Sequence, residues 1–352
     1  MTYVATVQRA WNANHLWSVL LELTYACNLN CDFCYNDLSL TGKRLAKDDY
    51  DRILQEFAAM DVLNVTLSGG EPLAHPDFFA IGAKAKELGF VVRIKSNGHA
   101  MRRSIADRVR KEVDPYMVEV SLHGAQADTH DRQTRVPGSF DRLMTNFGHM
   151  RDAGLRVRIN STLTKWNEQE IEAMFAIADG FGFPMQVDNE VKPRDDGDKS
   201  PLDIAATPSG QTNLLSVGKK RLGPPPPSGQ TPMKVAQGHR TKVDKHCGAG
   251  SSTLTIDPFG NVLPCVQWRH RVGNVHAAPL ADIWEGPGLE HIRETTAEIK
   301  GRIDALGEAG MRMNFCPGAA HTHSGDPMAV YPAAERRLVS AGGDKVRLRL
   351  VS

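Results

Sequence analysis

Between residues 18 and 190, short runs rich in Val, Ile and Leu alternate with helical stretches, and no other feature of the 352-residue chain limits its fold as tightly. Residues 19–23, 64–68, 90–95, 117–122, 156–163 and 185–187 read as strands, and residues 48–60, 76–88, 102–112, 139–153 and 168–180 as the helices between them. Repeats of this kind build a parallel sheet covered by helices. Periodicity fits an open doubly wound sheet and a partial barrel equally well.

The alternation fails after residue 191. Residues 192–245 carry Pro193-Arg194-Asp195-Asp196-Gly197 and the proline run at 223–229, and read as a Pro/Gly-rich linker or insertion. A compact module is expected over 246–332, with a hairpin in which Asp257-Pro258-Phe259-Gly260 turns between strands at 253–256 and 261–263. Residues 1–17 then form an N-terminal extension, 18–191 the main α/β domain, and 333–352 a basic tail.

Charge and hydropathy exclude several functions. Lys and Arg total 42 against 41 Asp and Glu, a net charge of +1, which argues against a nucleic-acid binder that neutralises many phosphates. No apolar run approaches the roughly 20 residues a bilayer span needs, and the best candidate, 17–23, is broken by Ser18 and Glu22. No secretory signal pattern opens the chain. A cytoplasmic protein without membrane contact is expected.

In that compartment the six cysteines point to metal or redox chemistry rather than disulfides. Three of them, Cys27, Cys31 and Cys34, follow the first strand at spacings of three and two residues. Three thiolates so close can each bind a different iron of a cuboidal cluster and leave the fourth iron open. A structural zinc site would want a fourth adjacent ligand, and none is nearby.

This triplet, with the aromatic Phe33 before its last cysteine, resembles the signature of the radical S-adenosylmethionine (SAM) enzymes. A second match is Ser68-Gly69-Gly70-Glu71-Pro72 at the end of the second strand. The resemblance implies a partial (β/α)6 TIM-like barrel. It also implies that Cys27, Cys31 and Cys34 hold a [4Fe–4S] cluster. Gly69, Gly70 and Glu71 would then receive the methionine amino group, and Tyr35, Ser96, Asn97, Ser121 and Arg135 would contact the rest of the cofactor. The chemistry implied is reductive cleavage of S-adenosylmethionine to a 5′-deoxyadenosyl radical that takes hydrogen from a substrate carbon.

The remaining cysteines resemble the family's C-terminal auxiliary-cluster extension, SPASM or its shorter form, twitch. Cys247 and Cys265 flank the hairpin with 17 residues between them, and Cys316 lies downstream. The resemblance implies a second [4Fe–4S] cluster on Cys247, Cys265 and Cys316. Position 319, where a twitch domain supplies a further cysteine, is alanine. His321, His323 and Asp326 are then the nearby candidates for a fourth ligand, beside an iron open to substrate.

Relatives with this extension commonly oxidise or cross-link ribosomally made peptides, which makes a peptide the expected substrate. Small molecules such as sugars, aminocyclitols, nucleotides or tetrapyrroles are the alternative. With all six thiols committed to iron, none remains to return a hydrogen atom, which favours oxidation or bond formation over epimerisation. A flavodoxin or ferredoxin is the implied electron donor. The 17 residues ahead of the first strand are too few for a fused recognition domain, so a separate peptide-recognition protein or direct binding of the peptide's leader is expected. A non-catalytic iron–sulfur electron carrier would use the same cysteines but would have no use for the Gly-Gly-Glu turn.

Overall fold

The strands carry a period-two pattern, and that pattern positions the site. In the computed structural model, which describes residues 3–37, 39–222 and 243–340, six parallel strands lie side by side in chain order. They are β1 (Ser18–Thr24), β2 (Asn64–Gly69), β3 (Val91–Ser96), β4 (Met117–Ser121), β5 (Val157–Thr162) and β6 (Met185–Asp188). One set of alternate residues is apolar and buried: Val19, Leu21 and Leu23, Val65 and Leu67, Val92 and Ile94, Val118 and Val120, Val157 and Ile159. These join one core with residues of the helices α2 (Lys47–Ala59), α3 (Phe78–Glu87), α6 (Ser139–Asp152) and α7 (Ile171–Phe181), among them Phe57, Ile81, Phe147 and Met174. Each such side chain contributes about 1.5–3 kcal/mol on burial. The other set is polar: Glu22, Ser68, Lys95, Glu119, Ser121, Arg158, Asn160 and Gln186. The sheet is therefore apolar towards its helices and polar towards the hollow of the partial barrel.

The expected strands and helices all form, with ends shifted by a few residues. The helix expected over 102–112 splits into α4 (Arg103–Arg108) and a π-helical stretch, Val109–Val113, which Asp114 ends in the left-handed conformation. Among the helices not anticipated are α1 (Tyr3–Asn12), α5 (Ala127–Thr134), α8 (Pro208–Leu222) and, in the C-terminal module, Pro287–Ala305. Helix α8 lies in the stretch expected as linker. Its Val217 packs with Leu163 and Ile171 to cover the end of α7. The proline run itself falls outside the described residues.

The C-terminal hairpin is part of the same sheet. β7 (Thr253–Ile256) lies parallel to β1, in the register Leu21 to Ile256, and β8 (Asn261–Leu263) and β9 (Gly273–Asn274) continue antiparallel from it. A separate small core of Ile299, Ile303, Met313, Phe315, Tyr331 and Leu338 holds the segment that carries Cys316. Among the described residues no helix is long and apolar enough to cross a membrane.

Candidate functional site

The loop after β1 carries the first three cysteines and is tied down on three sides. Gly70 N–H donates to Thr24 O (2.7 Å), Glu71 N–H to Ala26 O (3.0 Å), and Asn36 Nδ2 to Gly69 O (3.2 Å). From the end of α5, Thr134 O and Gln133 O accept from Asn30 N–H and Asp32 N–H, each at 3.1 Å. From beyond β6, Asp195 N–H donates to Tyr35 O at 2.7 Å. The two glycines are required by this packing. A Cβ on Gly69 would sit 2.3 Å from Thr24 O, at a φ of +131°, and one on Gly70 would sit 2.7 Å from both Ala26 O and Tyr25 O.

Cys27, Cys31 and Cys34 are free thiols that line one cavity of about 400 Å³. Gly69, Gly70, Ser96, Asn97, Ser121 and Tyr35 line the same cavity, as do Lys95, Glu119, Arg158 and Asn160 deeper between the strands. Burial pushes the Cys31 thiol well above its ordinary range, and its neighbours Cys34 and Cys27 push it further. Cys27 Sγ accepts from Leu29 N–H at 3.4 Å and faces Asn97 Nδ2 at 3.7 Å. Thiols crowded against one another and supplied with N–H donors suit a sulfur-ligated iron cluster, whose positive irons would relieve their mutual repulsion. Among the described residues no three Cys, His, Asp or Glu side chains converge on a point able to hold a single metal ion.

Two expected cofactor contacts are committed within the protein. Glu71 lies outside the cavity wall: its carboxylate accepts from Ser96 Oγ (2.9 Å), Asn97 N–H (2.8 Å) and Leu73 N–H (3.1 Å), locking the β3 turn to the β2 turn. Burial raises its pKa to about 7 against these hydrogen bonds. Arg135 also lies outside the wall and forms an ion pair with Asp32, inside the cysteine loop. Ser139 is the first residue of α6. The cap is supplied by Asp131, which accepts from Ser139 Oγ (2.7 Å) and Phe140 N–H (2.8 Å).

The other three cysteines gather at the far side of β1. Burial raises Cys247 to about 12, and Cys265 and Cys316 add to this; burial and then Cys316 raise Cys265 to about 11. Gly318 allows the approach, because a Cβ there would lie 2.4 Å from Gln267 O. This second thiol cluster fits iron on the same chemical grounds as the first. Gln267, two residues from Cys265, lines the main cavity. The candidate fourth ligands make contacts of their own. His321 packs edge-on to His270 (6.0 Å), His323 stacks on Tyr331 (5.3 Å), and Asp326 accepts from Met328 N–H (2.8 Å).

Two further groups escaped the sequence reading. Arg269 pairs with Glu22 (3.0 Å) and Asp195 (2.9 Å) and donates to Tyr25 Oη (2.6 Å), joining β1, the segment after β6 and the C-terminal loop in one buried network. His123 is buried against Phe33 of the cysteine loop, with ring centroids 4.3 Å apart. Neither group has a local spacing that announces it.

A family model described as the radical SAM superfamily matches residues 21–178, and one described as an iron–sulfur cluster-binding domain, SPASM, matches residues 247–304. The AdoMet-dependent heme synthase of Methanosarcina barkeri is 26% identical over 329 residues, covering 88% of this chain and 94% of that protein. Mycofactocin maturase MftC of Mycobacterium tuberculosis is 30% identical over 284 residues, covering 76% of this chain and 70% of that protein. Among solved structures, Streptococcus suis SuiB superposes with a TM-score of 0.63 at 19% identity, covering 82% of this chain and 70% of that one.

Proposed function

The chain belongs to the radical SAM superfamily and carries its SPASM extension, and from that premise we propose that it oxidises or cross-links a ribosomally made peptide in the cytoplasm. Cys27, Cys31 and Cys34 would hold the S-adenosylmethionine-binding [4Fe–4S] cluster, and Cys247, Cys265 and Cys316 an auxiliary one. When bound, the cofactor pair supplies reductive cleavage of S-adenosylmethionine and abstraction of a hydrogen atom from a substrate carbon. Ser96, Asn97 and Ser121 would line the cofactor's berth, with Gly69 and Gly70 allowing the close backbone approach. Glu71 acts through the loop it locks, and Arg135 through Asp32. Reduced flavodoxin or ferredoxin would supply the electron, and a separate protein would present the peptide.

The observation that carries this reading is a single cavity lined at once by the first three cysteines, by the glycine turn and by Gln267 beside Cys265. A peptide is favoured by the likeness to a maturase and by the cavity's chemistry. Its wall is built of Ser, Asn, Gln, Lys, Arg and Glu side chains, with Leu29, Phe33 and Val191 among its few apolar members. An extended peptide can hydrogen-bond to such a wall. A tetrapyrrole substrate is the second reading, favoured by the likeness to a heme synthase over 88% of the chain.

The test is incubation of reduced, iron-reconstituted protein with S-adenosylmethionine, first alone and then with candidate peptides encoded beside its gene. Release of 5′-deoxyadenosine, and loss of a hydrogen pair from a peptide by mass spectrometry, are the expected results. A peptide left unchanged while a porphyrin precursor is converted would overturn the peptide reading.

A further inference from the structure

The floor of the cavity carries more positive charge than the fold needs. Lys95 on β3, Glu119 on β4 and Arg158 on β5 are register neighbours, one row across three adjacent strands. Glu119 is buried, with a side chain 4% exposed, whereas Arg93, Lys95 and Arg158 around it are 28%, 45% and 30% exposed. Arg93, two residues below Lys95, grips one Glu119 oxygen through Nε (3.1 Å) and a terminal nitrogen. One terminal nitrogen of Arg158 reaches the same oxygen at 2.7 Å, and Asn160 Nδ2 reaches the other at 3.2 Å. Glu119 is thus already satisfied, as a buried carboxylate must be.

Lys95 Nζ pairs with Glu119 at 3.8 Å, beyond hydrogen-bond range, so this ion pair does not use its N–H donors. Arg158 Nε is buried and has no hydrogen-bond partner among the described residues. Other charges on the cavity wall cancel in pairs: Lys192 with Asp188 at 3.9 Å, and Glu190 with Arg337 at 3.0 Å. Glu119 is therefore left on the cavity wall with two cations, Lys95 and Arg158, and Arg93 pairs with it from outside that wall. A buried guanidinium donor without an acceptor costs stability unless something else accepts from it.

We propose that Lys95 and Arg158 form a subsite for a carboxylate of the substrate, so that the substrate is an acidic molecule bound anion-down on the barrel floor. This rests on the reading of the cavity as the place of catalysis. A carboxylate is planar and suits a half-exposed guanidinium beside one ammonium. The subsite lies below the cysteine loop: Lys95 is two residues before Asn97, the neighbour of Cys27 Sγ, or about 7 Å along the strand. An acidic group there would leave the rest of the substrate extending up towards the cysteines.

The test uses the iron-reconstituted full chain, without and then with saturating S-adenosylmethionine, titrated calorimetrically with amidated tri-glutamate, with amidated tri-glutamine and with inorganic phosphate. Binding of tri-glutamate at least about tenfold tighter than tri-glutamine is expected. Arg158→Gln and Lys95→Met should each weaken tri-glutamate by about tenfold and leave tri-glutamine unchanged. Glu119→Gln removes the resident negative charge and should tighten tri-glutamate, an opposite sign that misfolding cannot imitate. Equal binding of the two peptides would overturn the subsite, as would insensitivity to all three substitutions. Phosphate bound as tightly as tri-glutamate would overturn the carboxylate assignment. Loss of tri-glutamate binding on adding S-adenosylmethionine would assign the cations to the cofactor instead. Release of 5′-deoxyadenosine by the wild-type protein without peptide is scored separately, so failure of the radical reading is distinguishable from failure of the subsite.

Discussion

Gly70 shows how tightly single atoms constrain this site. A methyl group there would lie 2.7 Å from two backbone oxygens of the cysteine loop, and neither can move without moving Cys27. Gly70→Ala should destabilise the protein by about 1–3 kcal/mol, as overpacking does. It should also lower the iron incorporated on reconstitution, which a colorimetric iron assay would read; full iron loading would refute the role. Glu71 makes a different prediction. It holds its proton more tightly folded, with a pKa of about 7, than unfolded, at about 4.3. For such an acid the unfolded state binds fewer protons across that window, so stability is greatest below the lower value and falls as pH rises to the upper one. Glu71→Gln should flatten that decline in the apo-protein's melting temperature, and an unaltered slope would show that another group carries it. The glycine turn was legible in the sequence because its letters are contiguous. The use made of its glutamate was not, because its partners Ser96 and Asn97 come 25 and 26 residues later.

The strands were legible as strands but not as two-faced ones. Their Val, Ile and Leu suggested burial on both sides, yet the intervening residues in Arg93-Ile94-Lys95, Glu119-Val120-Ser121 and Arg158-Ile159-Asn160 form the polar wall of the cavity. Period-two alternation was the available signal. The parallel union of β7 with β1 had no such signal, since strands more than 200 residues apart pair through tertiary structure alone. Arg269 secures that union. Among the described residues it is the one cation paired with both Glu22 and Asp195, and burial raises Asp195 to about 7 even with Arg269 beside it. Arg269→Met would strand these two carboxylates, and losing one partner of a buried ionic group costs about 3–5 kcal/mol. Chemical denaturation should show that loss, with partial recovery in the Arg269→Met/Asp195→Asn double variant. Wild-type stability in the single variant would mean that the network is bystander chemistry.

Six thiols in two groups on either side of β1 make the two iron sites separable by mutation. The first group was legible because its three cysteines fall within eight residues; the second depends on Gly318 bringing Cys316 against the Gln267 loop, which no spacing foretells. Cys31→Ala should abolish 5′-deoxyadenosine release while leaving the far-UV spectrum intact, because three ligands are the least that hold an open-site cluster. The second site is tested by removing the first entirely. Cys247, Cys265 and Cys316 alone would leave one iron for water, for substrate or for a side chain such as His321, His323 or Asp326. A Cys27/Cys31/Cys34→Ala triple variant, reconstituted anaerobically, should retain about four irons per chain with a cubane's electron paramagnetic resonance signal after reduction. Because an open iron exchanges its ligand, adding cyanide should shift that signal. Retained iron with a cyanide-insensitive signal would mean that a protein side chain closes the site. Absence of iron in a variant that still melts cooperatively would mean that these three thiols hold no cluster, and with it would go the route by which an electron leaves an oxidised substrate.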